Sequence, residues 1–194
     1  MPSYFEFDVA LREIRPRIWR RFLLHQQATF QDLHDAIQDA FGWTDSHLWE
    51  FSRAEKRGAP IAASRGDELT ADWRSDDEDV PDPADIRLAS FFTPRGPKKC
   101  RYLYDFGDRW DHVVALRRRV ELPEPFGRRL LDGARACPPE DCGGVPGYAA
   151  CCAFVATGKH PWQDAGEFAE WLGDWRPGAF DLEAAKRDFD RAAR

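Results

Sequence analysis

The tightest constraint on how this chain can fold lies between residues 101 and 120. Two runs, 101–106 and 109–120, read as strands joined at Gly107-Asp108, a dipeptide suited to a two-residue hairpin turn with positive φ. Earlier segments extend the pattern. Phe5, Phe7, Val9 and Leu11 alternate with Glu6 and Asp8 over residues 4–11, which predicts a half-buried strand. Residues 18–24, with Trp19 and the pair Arg20-Arg21, form a second. A helix follows: Thr29 is a plausible N-cap with Asp32 three residues on, Phe30, Leu33, Ile37 and Phe41 recur at helical spacing, and Gly42 stops it. Residues 48–53 read as a third strand, 86–92 as a helical turn, and 146–157, 165–172 and 182–192 as helices. The sum is an α+β fold, one domain over residues 1–194, with a mixed sheet and a helix packed across it in a β-grasp-like arrangement; the C-terminal helices pack outside.

Charge narrows the function classes. The net charge of −6 argues against a general phosphate-binding surface. Its distribution is uneven: residues 67–85 hold nine acidic side chains against Arg74 alone, with Pro81 and Pro83, and read as a solvated loop. Basic residues gather at 15–21, 98–101, 117–119 and 128–129, which is either a local basic strip or a solvated charged face. No run reaches the length of a membrane span, and the N-terminus has neither the basic nor the apolar region of a secretory signal. Five cysteines, with Cys151 and Cys152 adjacent, do not form a disulfide framework and point to reduced thiols in the cytoplasm.

Chemistry could reside in two segments. With a two-residue turn at Gly107-Asp108, Asp105, Trp110 and His112 share a sheet face, and Asp105 and His112 become diagonal neighbours. A carboxylate beside an imidazole can orient the ring, raise its basicity or bind a metal; otherwise the aspartates serve the turn and His112 is a structural polar. The Asp105-Phe106-Gly107 triplet lacks the other parts of a kinase. The second segment is Cys137-Pro138-Pro139-Glu140-Asp141-Cys142-Gly143-Gly144. Two thiols with carboxylates between them could begin a metal site, and the alternative is a rigid loop with cysteines as small apolar groups. Of the remaining histidines, His34 reads as a core residue held by a backbone partner, and His47, between Trp43 and Trp49, could line a pocket.

Jointly these motifs resemble the plasmid pRiA4b open-reading-frame-three-like family. The resemblance rests on Ile18-Trp19-Arg20-Arg21, Leu33-His34, Ile37-Gln38, Phe41-Gly42-Trp43 and His47-Leu48-Trp49-Glu50-Phe51. It continues through Tyr104-Asp105-Phe106-Gly107-Asp108 with Trp110 and His112, the Cys137–Gly144 run, Gly147-Tyr148 and Phe180-Asp181-Leu182. It spans about residues 3–190. It implies residence on plasmids or as a passenger of insertion elements, together with a fold and signature positions, but no mechanism. The resolvase label that some members carry is not matched by a serine set among arginines.

Two readings follow. The first is a non-enzymatic binding or adaptor module linked to plasmids or mobile elements. It would engage a protein or nucleic-acid partner through Arg20, Arg21, His47, Trp49 and Trp110, with the run 117–119 adding positive charge. It calls for no cofactor and no membrane. The alternative is a metal-assisted, hydrolase-like enzyme with Asp105, Asp108, His112, Glu140 and Asp141 in one pocket, a divalent metal as cofactor, and Cys137, Cys142 and His112 as candidate ligands. That reading requires the hairpin and the Cys-Pro-Pro loop to meet in space.

Overall fold

The computed structural model describes residues 1–54, 60–64 and 81–191. The acidic stretch expected as a loop therefore lies outside the described residues from 67 to 80. Seven strands, β1 (Ser3–Leu11), β2 (Trp19–His25), β3 (Trp49–Arg53), β4 (Ala62–Ala63), β5 (Lys99–Tyr104), β6 (Trp110–Glu121) and β7 (Arg128–Ala134), form one sheet in the order β4-β3-β5-β6-β1-β2-β7. Five helices accompany it: α1 (Phe30–Phe41), α2 (Leu88–Phe91), α3 (Gly144–Thr157), α4 (Ala165–Leu172) and α5 (Leu182–Arg191).

The fold is α+β, but every described strand pair is antiparallel, which corrects the expected mixed sheet. A strand–helix–strand unit suggests a parallel pair. Here α1 carries the chain across the whole sheet, and β1, β6 and β5 separate β2 from β3, so no parallel ladder forms.

The alternation read in residues 4–11 explains which face is covered. Phe5, Phe7 and Val9 of β1, Phe22 and Leu24 of β2, Phe51 of β3 and Val114 of β6 point to one side and are buried there. Helix α1 lays Phe30, Leu33, Ile37 and Phe41 on that side, with the Phe30 and Phe51 rings 5.1 Å apart. Its ends are built as expected: Thr29 and Asp32 complete a capping box, and Gly42 closes the helix in the left-handed conformation. Helix α5 packs against β7 and α1, with Phe189 5.5 Å from Phe22. The opposite face is polar. Glu6, Asp8 and Asp111 are met there by Arg12, Arg17, Arg21, Arg101 and Arg118. No helix among the described residues is long and apolar enough to cross a membrane.

Two local findings position the site. The β5–β6 hairpin pairs Tyr104 with Trp110 and Tyr102 with His112, so its connection is the five residues 105–109, not the two-residue turn expected. The cause is Asp105. It adopts φ 57°, its Oδ1 accepts from the Gly107 and Asp108 amides at 2.8 and 3.2 Å, and its carbonyl accepts from the Arg109 amide at 2.7 Å. A carboxylate that gathers two amides favours this wider loop over a Gly-Asp turn. In addition, the sequence reading left out β7. This edge strand joins β2 through a bulge between Arg21 and Phe22.

Candidate functional site

The shifted register separates the two residues first paired. His112 faces inward with Tyr102, Tyr104 and Trp110 and is wholly buried. Its Nδ1 donates to the Trp110 carbonyl at 2.9 Å, while Nε2 has no hydrogen-bond partner; the Phe41 and Trp43 rings stand perpendicular to the imidazole. Burial lowers its pKa to about 4, so the ring stays neutral. Asp105 leaves the sheet with the loop and meets a different histidine.

That histidine is His47. Its Nε2 stands 3.1 Å from Asp141 Oδ1 and 3.8 Å from Asp105 Oδ2. One ligand atom from each residue lies within 4.8 Å of the other two. Nε2 is shut off from solvent and makes no hydrogen bond of acceptable geometry to either carboxylate. Asp105 is buried with Oδ1 already committed to backbone amides, whereas the Asp141 side chain is 73% exposed. The cluster is thus open to solvent on the Asp141 side.

Three loops deliver these groups, and a second tier of bonds holds the loops. Glu140 accepts from the Tyr104 hydroxyl at 2.6 Å and from the Thr44 amide and hydroxyl at 3.1 and 2.5 Å, joining the loop after α1 to the loop before α3. Burial, followed by the Glu140 carboxylate, pushes the Tyr104 pKa up and keeps it a donor. Asp108 Oδ2 accepts from the Gly143 amide at 3.0 Å, joining the hairpin loop to the entry of α3. The Trp43 indole donates to the Pro138 carbonyl at 3.2 Å and stacks on Tyr104 at 4.9 Å. The Gly-rich sequence is explained by crowding: a Cβ on Gly144 would stand 2.5 Å from Asp108 O, and one on Gly147 1.6 Å from Cys142 O. The hairpin and the Cys-Pro-Pro loop do meet, as the enzyme reading required. Asp45, Asp105, Arg109 and Asp141 all have positive φ, so strained backbone concentrates here.

The loop that carries His47 is locked from below. Gln38 Nε2 donates to the Tyr102 hydroxyl at 2.9 Å, which contacts His34 Nδ1 at 2.8 Å; His34 Nε2 meets Asp45 Oδ1 at 2.9 Å, and the Asp45 amide donates to Gln38 Oε1 at 3.1 Å. All four bonds are satisfied when Tyr102 donates to Nδ1 and the His34 proton sits on Nε2. His34 is a core residue, as read, but side chains hold it and not a backbone group.

The residues proposed for a partner surface lie elsewhere than expected. Arg20 is 2% exposed and donates to the carbonyls of Ala40, Trp19, Ala134 and Arg135. Its guanidinium lies 3.8 Å from the Phe180 ring, and burial lowers its pKa to about 10. Arg21 is tied to Glu6 and Asp8. Trp49 is buried and stacked on His34 at 4.0 Å, and Trp110 is buried beneath Trp43. Strand alternation combined with an antiparallel sheet turns these residues inward. Arg21 alone remains on the outer face, already neutralised.

The thiols do not assemble into a metal site with His112. Burial raises the Cys137 pKa, and Arg20 works against that rise. Cys142, just before α3, donates its S–H to the Gly144 carbonyl at 3.9 Å; the nearby Cys151 thiol, followed by burial, raises the Cys142 pKa, and Cys142 lowers that of Cys151. Among the described residues, His47, Asp105 and Asp141 are the group that could hold a metal. Sequence reasoning named all three but split them, with Asp105 and Asp141 in the enzyme reading and His47 among the partner-binding residues.

Comparisons with known proteins agree with this architecture. The chain is 32% identical over 192 residues to the uncharacterized protein y4hQ of Sinorhizobium fredii, covering 97% of this chain and 88% of that one. It is also similar to the crystal structure of MM3350, a protein of unknown function from Methanosarcina mazei Go1, with a TM-score of 0.77 and 30% identity over 95% of this chain and 98% of that one. The sequence profile of the plasmid pRiA4b ORF-3-like proteins matches residues 3–184, and the chain belongs to that family.

Proposed function

We propose that the chain binds a divalent cation through His47, Asp105 and Asp141 and uses it to activate water, as a metal-assisted hydrolase. The supporting observation is the convergence of one imidazole nitrogen and two carboxylate oxygens within 4.8 Å, with His47 Nε2 buried and unbonded between them. Ligand atoms bound at roughly 2.0–2.2 Å to a zinc-like ion stand about 3–3.5 Å apart, so the separations of 3.1 and 3.8 Å from His47 Nε2 need little closure, and the two carboxylates, within 4.8 Å of each other, close by about an ångström at most. Three protein ligands leave a coordination position for water, whose pKa the ion would lower towards neutrality. Mixed nitrogen and oxygen donors suit zinc or manganese. Asp108 and Glu140 hold the loops in register and do not face the cluster as ligands.

The reading as a binding or adaptor module has less support. Of its five named residues, Arg20, Trp49 and Trp110 are interior. The test is catalytic. Protein stripped with chelator and reloaded with Zn²⁺ or Mn²⁺ should hydrolyse at least one of a panel of ester, amide and phosphoester substrates. Turnover should require the ion and fall at least 100-fold in His47→Ala. Metal-independent turnover, or a His47→Ala variant as active as the parent, would overturn the proposal.

A further inference from the structure

We propose that the aromatic strip formed by helix α4 and the loop before it is a docking surface for an arginine-bearing segment of a partner protein. The strip shares no residue with the cation centre, nor with the residues first named for partner binding. Local sequence builds it. Asp164 caps α4 through the Gly166 and Glu167 amides at 2.8 and 3.1 Å. Phe168 and Leu172, four residues apart, turn inward and pack with Cys151. Helical spacing then sends Glu167, Glu170 and Trp171 outward, and all three are exposed.

Four rings join on this side of the helix. Trp162 meets His160 edge-on at 5.7 Å, His160 lies against Phe168 at 4.0 Å, and Phe168 contacts Trp171 at 5.2 Å. The outer two are bare: Trp162 is 71% and Trp171 49% exposed, and apart from Met1 they are the exposed large hydrophobic side chains of the described residues. A single apolar group on a surface needs no explanation. Two indoles joined through a shared pair of rings make a patch of the kind that marks a protein interface.

Charge decides the occupant. Asp164, Glu167, Glu170 and Asp174 are all exposed here, with Lys159 and Arg176 as the cations at either margin. Among the described residues no ion pair neutralises Glu167, Glu170 or Asp174. Arg176 is turned back to the Gly173 and Trp175 carbonyls. Such a rim repels nucleic-acid phosphates and anionic lipid surfaces. A twofold contact with a second copy would set these carboxylates against their own equivalents. A guanidinium satisfies both features of the strip, because its plane stacks on an indole and its forked N–H groups pair with carboxylates. An ammonium is more strongly hydrated, lacks the fork and gains less.

The test titrates the full chain into fluorescein-labelled hexa-arginine at physiological ionic strength and follows anisotropy, with labelled hexa-lysine beside it. Saturable binding, at least threefold tighter for hexa-arginine, is the expected result. Trp162→Ala combined with Trp171→Ala should weaken it at least tenfold. Glu167→Gln combined with Glu170→Gln, which keeps the strip intact if truncating the indoles unfolds the chain, should weaken it at least fivefold and flatten its salt dependence. Asp35→Asn combined with Asp188→Asn removes two exposed carboxylates from the cleft between α1 and α5, and it controls for attraction by net charge alone. That pair should leave affinity within twofold. No saturable binding overturns the proposal, and so do equal affinities for the two peptides, an undiminished affinity in the glutamate pair, or an equal loss in the control pair. Self-association of the parent that the tryptophan pair abolishes would assign the strip to a second copy and overturn it as well.

Discussion

Lowering the pH should destabilise this protein through His112. The ring is fully enclosed among aromatic side chains, its Nδ1–H is committed to the Trp110 carbonyl, and its bare Nε2 has no hydrogen-bond partner. Protonation must therefore create an ammonium-like N–H with no acceptor. The folded-state pKa of about 4 lies below the ordinary 6.5, so under acid conditions the unfolded chain takes up a proton that the folded chain refuses. Stability is unaffected by this group above about pH 6.5 and falls as the pH drops towards 4. The full cost is about 3 kcal/mol, from a shift of two to three units at 1.36 kcal/mol each. Asp35 works in the opposite sense. Burial raises its pKa, so the folded state binds that proton more readily and gains stability as the pH falls. Urea denaturation of the parent and of His112→Gln at pH 7 and pH 4.5 separates the terms, since every other titration is common to both. The parent should lose about 2–3 kcal/mol more than the variant across this interval. Equal losses would show that His112 titrates as a solvated histidine and would refute the reasoning.

Other substitutions test the framework that holds the site. Arg20→Met leaves four inward carbonyls without their donor and should cost about 3–5 kcal/mol in urea denaturation; a loss under 1 kcal/mol would show that the guanidinium is dispensable. Tyr102→Phe opens the ring joining Gln38, His34 and Asp45, with an expected loss of about 1–3 kcal/mol and faster amide exchange in residues 43–47. Unchanged exchange there would contradict the locking role. Gly147→Ala puts a methyl group into the Cys142 carbonyl, so the α3 entry must shift. The melting temperature should fall and cation affinity with it, and a variant matching the parent in both would refute the close approach.

The fold was legible where periodicity and packing agree. The alternation of β1, the capping box of α1 and the limits of α4 were readable because each buries one face or closes one helix end with local chemistry. Strand β7 was not, because its Arg128 and Leu130 face the core while Arg129 and Leu131 do not, and a bulge breaks the period. The hairpin register was misjudged for a physical reason that can be stated in advance. An Asp two residues before a glycine can collect loop amides and widen a turn, and a one-residue change in where the loop begins moves every following side chain to the other face. That change sent His112 into the core. It also freed Asp105 to meet His47, more than fifty residues away in sequence and brought near by α1. The proximity of Glu140 and Asp141 to the hairpin had no local signal beyond the glycines that let the two loops touch.

The most direct test of the central claim is titration calorimetry of Mn²⁺ into chelator-treated, tag-free protein, run beside Asp105→Asn. That variant can keep both amide bonds of the hairpin loop and loses only the negative charge. One ion bound per parent chain, with affinity reduced at least tenfold in the variant, is the result expected from a centre built on His47, Asp105 and Asp141. Absence of saturable binding by the parent, or equal binding by the variant, would contradict it.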